Sequence, residues 1–243
     1  MGDTKLKQAV IIAGGRGIRM RNQFPWSKPM TPIMNKPLVS FTIDALIHCG
    51  IDDIKLFWNP NYPDILDITD YNKEYKNKIE FIPNKEQIGI MSAIDYTSQL
   101  VKTPYLLSMA DIITQKDDFK KMVAYGMKLS CMNPDMVIQT VDNPSIVGDK
   151  MMTVVDGKIV NWELDENAKS GAEIFLVNKT PIPKLRKFIA SGNENPHLFF
   201  KEFVKHQNVW EMPINDMWDV DTPEEVERTQ NILLEKQEKG IQI

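Results

Sequence analysis

This sequence of 243 residues has few cysteines, no long apolar run and no surplus of basic residues. Only two cysteines occur, Cys49 and Cys131, too few for a disulfide-stapled secreted scaffold, and we expect both to be inert buried thiols. No apolar run approaches the roughly 20 residues that span a bilayer, and the polar first residues are unlike a signal peptide. These absences favour a soluble, cytoplasmic protein with no membrane partner.

A surplus of basic residues is also missing. The chain has 29 Lys and Arg against 33 Asp and Glu, a net charge of −4, so the basic surface of a general nucleic-acid binder is not expected. Hydrophobic residues make up 42% and charged residues 26% of the chain, which excludes disorder and fibrous repeats. Because no linker, repeat or low-complexity tract divides the chain, residues 1–243 are predicted to form one domain.

Strand-like and helix-like stretches alternate in the first half of the chain. Short, β-branched stretches predict strands at 8–13, 53–58, 78–82 and 105–109. Helical spacing of apolar residues predicts helices at 36–48, 63–75, 90–101 and 117–129. This alternation indicates right-handed crossovers and an α/β fold, with a Rossmann-like, mainly parallel sheet and helices on both faces.

The pattern changes to hairpins after about residue 132. Asp156-Gly157 separates two strand-like stretches and is the strongest short hairpin signal in the chain. Thr222-Pro-Glu-Glu225 is a capping box that predicts a terminal helix to about residue 239. Further strands are expected at 135–140, 172–177 and 209–213, and further helices at 183–191 and 196–206. The second half should therefore add a small antiparallel insertion to the sheet.

The most informative stretch is Ala13-Gly-Gly-Arg-Gly-Ile-Arg-Met20, directly after the first strand. Its glycines leave backbone N–H groups unshielded, so these groups can curl around an anion, and Arg16 and Arg19 add phosphate donors. The Gly-Lys-Ser/Thr ending of a P-loop and the third glycine of the dinucleotide fingerprint are both missing. A tight turn with solvated arginines explains such a motif, taken alone, as well as an anion site does.

Lys28-Pro29, Pro32-Ile33 and Asn35-Lys-Pro-Leu38 follow the glycine loop in that order. The combined series resembles the signature of the sugar-1-phosphate nucleotidyltransferases and their cytidylyl and molybdopterin-type relatives. The resemblance is densest over residues 8–56, returns at 84–113, and reappears at 214–227. It implies a nucleotide-binding half (1–132), an acceptor-binding half (133–213), and a metal segment with the terminal helix (214–243).

The resemblance also assigns residues to the nucleotide. It implies that Ala13, Gly14, Gly15 and Gly17 bind the triphosphate, that Arg19 holds its β and γ phosphates, and that Lys28 places a charge near the α-phosphate. The stretch from Asn84 to Gly89 resembles the segment of the family that faces the nucleobase. An ordinary loop that opens a helix explains this short stretch equally well.

Two aspartates stand where the family binds its metal. Asp111 follows a buried strand, at the edge where open α/β sheets bind ligands, although a helix-capping role is the alternative. Trp218-Asp-Val-Asp-Thr-Pro223 resembles the segment of the family whose first aspartate is the second metal ligand, which is Asp219 here. The resemblance implies that both carboxylates share one Mg²⁺, a hard ion that prefers carboxylate and phosphate oxygens.

The acceptor segments depart from the family. Its Glu-Lys-Pro is reduced to Trp162-Glu163-Leu164, without the lysine, and its Asn-x-Gly-x-Tyr to Ser170-Gly-Ala-Glu-Ile-Phe175. Glu163 and Gly171 are the acceptor-binding residues that the resemblance leaves. A sugar 1-phosphate is therefore the first expected acceptor, and a phosphorylated small alcohol used by a cytidylyltransferase is the second.

The implied reaction transfers NMP from an NTP to a small phosphate monoester, giving an NDP-sugar and pyrophosphate. A nucleotide- or sugar-sensing module without turnover is the alternative from another functional class. It is favoured by Ile18, where the family commonly has Thr or Ser, and by the missing lysine. The base, the acceptor and any homo-oligomer are left open by the sequence.

Overall fold

The structure is a computed structural model that describes residues 6–20, 23–86, 88–141, 151–165 and 168–240. Its strands are β1 (Gln8–Ala13), β2 (Pro32–Ile33), β3 (Lys36–Pro37), β4 (Asp53–Trp58), β5 (Ile79–Pro83), β6 (Tyr105–Met109), β7 (Ile112–Thr114), β8 (Met136–Val141), β9 (Met152–Val155), β10 (Lys158–Trp162), β11 (Ser170–Val177), β12 (Val209–Ile214) and β13 (Met217–Asp219). Its α-helices are α1 (Leu38–His48), α2 (Ile68–Tyr71), α3 (Ile90–Ser98), α4 (Lys116–Lys128), α5 (Ile182–Ala190), α6 (Pro196–His206) and α7 (Pro223–Glu238).

Nine of these strands form one mixed sheet in the order β5-β4-β1-β6-β11-β8-β12-β10-β9. The first four strands of this order are parallel to one another. β11 is antiparallel to both of its neighbours, and β10 likewise, so these two strands run opposite to the other seven. The predicted α/β fold with an antiparallel insertion in its second half is confirmed.

The centre of the sheet is covered on both faces. Every residue of β6 and β8 is buried, and the side chains of a strand alternate between its two faces. α1 packs against α4, and α3 packs against α5. No helix in the described part of the chain has the length and apolar character needed to cross a bilayer. The short apolar strands at the centre of the sheet therefore form the core of this molecule.

A smaller apolar cluster ties the C-terminal helix to the loop that follows β1. Met20, Ile33, Trp218, Val220 and Leu233 are each at most 1% exposed and belong to this cluster. The predicted capping box opens α7, because the Thr222 hydroxyl accepts from the Glu225 amide while Glu225 accepts from the Thr222 amide. The cluster and the cap hold the segment before α7 against the glycine-loop side of the sheet.

Two expectations from the sequence need correction, and short strands were not predicted. The helix expected at 63–75 is instead α2 between two 3₁₀ turns, because Asn72 has extended backbone angles and its side chain caps the second turn. The short strands β7 and β13 were not predicted, because they are too brief to show a period of two. Cys131 is exposed rather than buried, whereas Cys49 is partly buried.

Candidate active site

β7 and β13 bring the two predicted metal ligands together. They form a separate antiparallel ladder in which Asp219 pairs with Ile112 and Trp218 pairs with Ile113. The amide of Val220 adds a hydrogen bond of 3.1 Å to the carbonyl oxygen of Asp111. Because β7 begins directly after Asp111, the ladder places both aspartates at the end of β6, as the sequence predicted.

A third aspartate joins this pair. Asp111, Asp219 and Asp221 each offer a carboxylate oxygen, and these three oxygens lie within 4.8 Å of one another. Lys28 Nζ lies 2.5 Å from Asp111 Oδ2 and also forms an ion pair with Asp221. Arg19 Nη2 lies 2.8 Å from Asp221 Oδ2. Asp221 therefore connects the two cations that the sequence assigned to the triphosphate.

Burial and mutual repulsion shape the electrostatics of this acidic cluster, defined by Asp111, Asp219 and Asp221. Burial, followed by the charges of Asp111 and Asp221, raises the pKa of Asp219 to about 7. Burial acts to lower the pKa of Lys28, but Asp111 and Asp221 outweigh it and raise that pKa, so Lys28 remains protonated. Against the effect of burial, Lys28 and Arg19 lower the pKa of Asp221. The cluster carries more negative charge than the two cations neutralise.

The acidic cluster fits a divalent cation. Asp111 Oδ1 is buried without a hydrogen-bond partner among the described residues, which is costly unless a ligand satisfies it. Carboxylate oxygens are the hard ligands that Mg²⁺ takes in proteins, together with phosphate oxygens of a substrate. Asp111 and Asp219 are therefore suited to share such an ion, and Asp221 lies within reach of the same position.

A cavity of about 520 Å³ opens beside the end of β1. Gly14, Gly15, Arg16, Asn84 and Asp111 are among its lining residues. A side chain at Gly14 would crowd the cavity wall, since its Cβ would lie 3.0 Å from Phe57 Cε1. Gly17 has a φ of +54°, and a Cβ there would lie 3.1 Å from Lys28 Cβ. The glycine loop thus lies at the mouth of this cavity, which we call the first cavity, and Ala13 precedes it at the end of β1.

Asn84 and Gly89 line the first cavity as well, but Asn84 has a partner of its own. Asn84 Oδ1 accepts from the Ile88 amide at 3.0 Å, and Nδ2 donates to the Ile88 carbonyl oxygen at 3.3 Å. Glu194 accepts from the amides of Met91 and Ser92 at the start of α3. The Asn84 side chain therefore holds the shape of the loop that precedes Gly89, and its contact with a base stays a prediction.

A second cavity of about 220 Å³ lies on the other side of the acidic cluster. Asp219 lines this cavity whereas Asp111 lines the first, and Ile90 and Met109 line both. The two cavities therefore adjoin at Ile90 and Met109, with Asp111 in the wall of the first and Asp219 in the wall of the second. Ligands in them would meet near the two aspartates that the resemblance assigns to the metal.

The predicted acceptor residues Gly171 and Glu163 have different surroundings. Gly171 lines the second cavity, and a Cβ there would lie 2.8 Å from Met152 Cε. Glu163 is exposed, pairs with Lys201 at 2.7 Å, and is not among the described residues that line the second cavity. The structure brings Gly171 to the candidate site and leaves Glu163 on the surface beside it.

Sequence reasoning missed Glu173, which also lines the second cavity. The pairing of β11 with β8 shifts register between Gly171 and Phe175, and Glu173 has a φ of +47° within this bulge. Burial, followed by the charges of Asp111 and Asp219, raises the pKa of Glu173 to about 8. No motif of the sequence marks a bulge of this kind.

The sequence model of the family described as "Nucleotidyl transferase" matches residues 8–145, more than half of the chain. The chain belongs to the nucleotidyl transferase family. The match includes the glycine loop, Lys28 and Asp111, and it ends before Gly171 and Asp219.

Relatives of this nucleotidyl transferase family member share modest sequence identity. Mannose-1-phosphate guanylyltransferase 1 of Arabidopsis thaliana is 24% identical over 226 residues, which cover 87% of this chain and 60% of the relative. The chain thus spans less than two thirds of that relative's length. It is also similar to mannose-1-phosphate guanyltransferase of Saccharomyces cerevisiae, with 27% identity over 147 residues, 58% of this chain and 40% of the relative.

Solved structures support the fold. The structure of apo UDP-glucose pyrophosphorylase is similar with a TM-score of 0.76 and 13% identity, covering 96% of this chain and 99% of that one. CTP:phosphocholine cytidylyltransferase from Streptococcus pneumoniae has a TM-score of 0.74 and 19% identity, covering 94% and 99%. At such low identity these likenesses show the fold alone.

Proposed function

We propose that the protein transfers NMP from an NTP to a small phosphate monoester and releases pyrophosphate. The observation that carries this proposal is the β7–β13 ladder, which places Asp219 beside Asp111 where the two cavities adjoin. An NTP in the first cavity and a monoester in the second would meet at these two carboxylates. Family membership supports the same reaction class.

In the proposed reaction a phosphate oxygen of the monoester forms a bond to the α-phosphorus of the NTP. The bond from that phosphorus to the oxygen bridging it to the β-phosphate breaks, and pyrophosphate leaves with the electron pair. The attacking oxygen is already ionised at neutral pH, so no histidine base is needed. Because all reacting groups are anionic, the protein has mainly to position and neutralise them.

The residues of the first cavity suit the triphosphate. Gly14, Gly15 and Gly17 would offer backbone amides to the phosphates, with Ala13 at the base of the loop. Arg19 would bind the β and γ phosphates, and Lys28 the α-phosphate. Both cations already lie at Asp221, so the phosphates would join an arrangement that is partly in place.

Asp111 and Asp219 would hold Mg²⁺ beside the reacting phosphorus. When bound, this ion supplies positive charge that neutralises the charge developing on the phosphate oxygens. Asp221 has the separate task of orienting Lys28 and Arg19 from the same end of the sheet. Asp111 would thus contact both the metal and Lys28, whereas Asp221 would contact Lys28 and Arg19.

Two acceptors remain candidates for the second cavity. A sugar 1-phosphate, mannose 1-phosphate, appears in the names of the plant and fungal relatives. A phosphorylated small alcohol is the acceptor in the name of the pneumococcal cytidylyltransferase. The second cavity favours the small alcohol, because Ile94, Ile138, Met151 and Phe175 form an apolar wall that offers no partner to sugar hydroxyls.

The experiment that tests the transferase proposal is a pyrophosphate-release assay with Mg²⁺, each of the four NTPs, and a panel of phosphate monoesters. We expect release that requires both an NTP and a monoester. NTP binding without release for any pair would contradict the proposal and favour the non-catalytic sensing module on the same fold.

A further inference from the structure

The second cavity has an aromatic wall beside two carboxylates. Trp162 and Phe200 are stacked with ring centroids 4.6 Å apart, and Phe175 lies parallel to Phe200 at 5.6 Å. All three rings line the cavity, together with Glu173 and Asp219. Aromatic rings and carboxylates are the two kinds of group that attract an organic cation.

Cations of the protein are absent from this wall. No lysine or arginine is among the described residues that line the second cavity. Two lysines on neighbouring elements already have partners: Lys169 pairs with Glu211 at 2.8 Å, and Lys201 pairs with Glu163 at 2.7 Å. In the described ranges of the chain, no residue forms an ion pair with Glu173.

Glu173 is therefore a carboxylate that faces a cavity without a counterion. Its backbone adopts a left-handed φ of +47°, a conformation that costs free energy for a residue other than glycine. Such a conformation beside the acidic cluster is typical of a functional site, where a bound ligand offsets the cost. A ligand with a positive charge would compensate both Glu173 and the surplus negative charge of the acidic cluster.

A sugar would fit this wall less well. Each hydroxyl group that leaves water needs a hydrogen-bond partner, and unpaired hydroxyls cost affinity. Among the described residues that line the second cavity, the polar side chains are those of Glu173, Asp219 and His197. His197 Nδ1 already accepts a hydrogen bond from Trp162 Nε1 at 3.5 Å. The wall is suited to one compact charged group rather than to a ring of hydroxyls.

We propose, building on the transferase function above, that the acceptor is the phosphate monoester of a small alcohol that carries an ammonium group. Its phosphate lies at Asp219, where the two cavities adjoin. Its ammonium group lies in the second cavity, between Glu173 and the aromatic wall of Trp162, Phe175 and Phe200. The protein thus selects its acceptor by charge as well as by size.

The sharpest test compares two acceptors of the same shape and different charge. Phosphocholine carries a quaternary ammonium group, and 3,3-dimethylbutyl phosphate replaces its nitrogen with carbon and is neutral at that end. Phosphoethanolamine, glucose 1-phosphate and mannose 1-phosphate complete the panel. With the best NTP, we expect kcat/KM for a cationic ester to exceed that for the neutral isostere about 10- to 100-fold.

Glu173→Gln should remove most of this preference, because the amide keeps the shape and loses the charge. Turnover of 3,3-dimethylbutyl phosphate by Glu173→Gln reports that the variant is folded, and Glu173→Asp should retain part of the preference. Glu202→Gln is the matched control, since Glu202 lies on α6 and pairs with Lys205 at the surface. It should leave the preference unchanged.

The outcomes separate this inference from the function on which it rests. Equal use of the two isosteric acceptors, or faster turnover of the sugar 1-phosphates, would overturn the charge selection and leave the transferase intact. A preference for the cationic esters that survives in Glu173→Gln would overturn the role of Glu173. No pyrophosphate with any acceptor would contradict the transferase proposal itself.

Discussion

The amide of Val220 donates a hydrogen bond of 3.1 Å to the carbonyl oxygen of Asp111. This bond continues the β7–β13 ladder and aligns two segments that are distant in the sequence. The buried side chains of Trp218 and Val220 anchor one of these segments in the smaller apolar cluster. The positions of Asp111 and Asp219 are therefore set by backbone pairing and packing, so conservative changes of their carboxyl groups should leave the fold intact.

Asp221 should affect activity less than Asp219, since in the proposed site it orients cations and does not hold the metal. Asp221→Asn removes the ion pairs to Lys28 and Arg19. We expect kcat/KM to fall about tenfold, which is the scale of one charge-assisted hydrogen bond. Steady-state pyrophosphate release measures this change.

Asp216→Asn is the control for Asp221, because Asp216 lies in the same segment and pairs with Lys236 at 2.7 Å. It should leave kcat/KM near the wild-type value. A loss of kcat in Asp221→Asn as large as that in Asp219→Asn would show instead that Asp221 is a metal ligand.

Gly17 should be the glycine of the loop that tolerates a side chain least. Gly17→Ala places a Cβ in the left-handed region and 3.1 Å from Lys28 Cβ, whereas a Cβ at Gly15 meets no atom within 4 Å. We expect Gly17→Ala to cost about 1–2 kcal/mol and to lower the Tm by about 2–8 °C. Thermal unfolding without nucleotide should show no such shift for Gly15→Ala, and an equal shift in both variants would refute the strain argument.

Asn84 should affect all nucleotides alike if its main task is to hold the loop. Asn84→Ala removes both hydrogen bonds to the Ile88 backbone. We expect binding of ATP, GTP, CTP and UTP to weaken by similar factors in calorimetric titrations. A change of preference among the four bases would show that the amide reads the base directly.

The two cysteines should differ in reactivity. Burial raises the pKa of Cys49 to about 12, so its thiolate is almost absent at neutral pH, whereas Cys131 is exposed. Iodoacetamide at pH 8 should therefore modify Cys131 in the native protein and Cys49 only after unfolding. Mass spectrometry of the digested protein reads out each site, and fast native labelling of Cys49 would contradict its placement.

Much of the fold follows from local pattern. The strands β1, β4 and β6 have the bounds expected from short, β-branched and buried runs. The proximity of Asp111 and Asp219 was also predictable, because each belongs to a motif with a defined order along the chain. The periodicity of side chains and the family signature carry this information without tertiary contacts.

The acceptor side was less predictable, and the reason is geometric. A bulge in β11 breaks the alternation of side chains, so the position of Glu173 in the second cavity depends on pairing with β8. The hydrogen bonds between the Asn84 side chain and the Ile88 backbone likewise depend on the conformation of the loop. The ion pairs of Asp221 need Lys28 and Arg19 to fold back onto the segment before α7. None of these contacts is marked by a characteristic spacing of residues along the sequence.

In the proposed site, Asp111 and Asp219 serve one metal ion between the two cavities. The measurement that tests it most directly is a double-mutant cycle of Asp111→Asn and Asp219→Asn, followed by pyrophosphate release at saturating Mg²⁺. Each single variant should lose about 10²-fold or more in kcat, the scale of deleting a main electrostatic contact. The double variant should lose little more than either single variant, because the second change acts on a site already broken. Losses that multiply, or turnover at the wild-type rate in either single variant, would contradict the shared site.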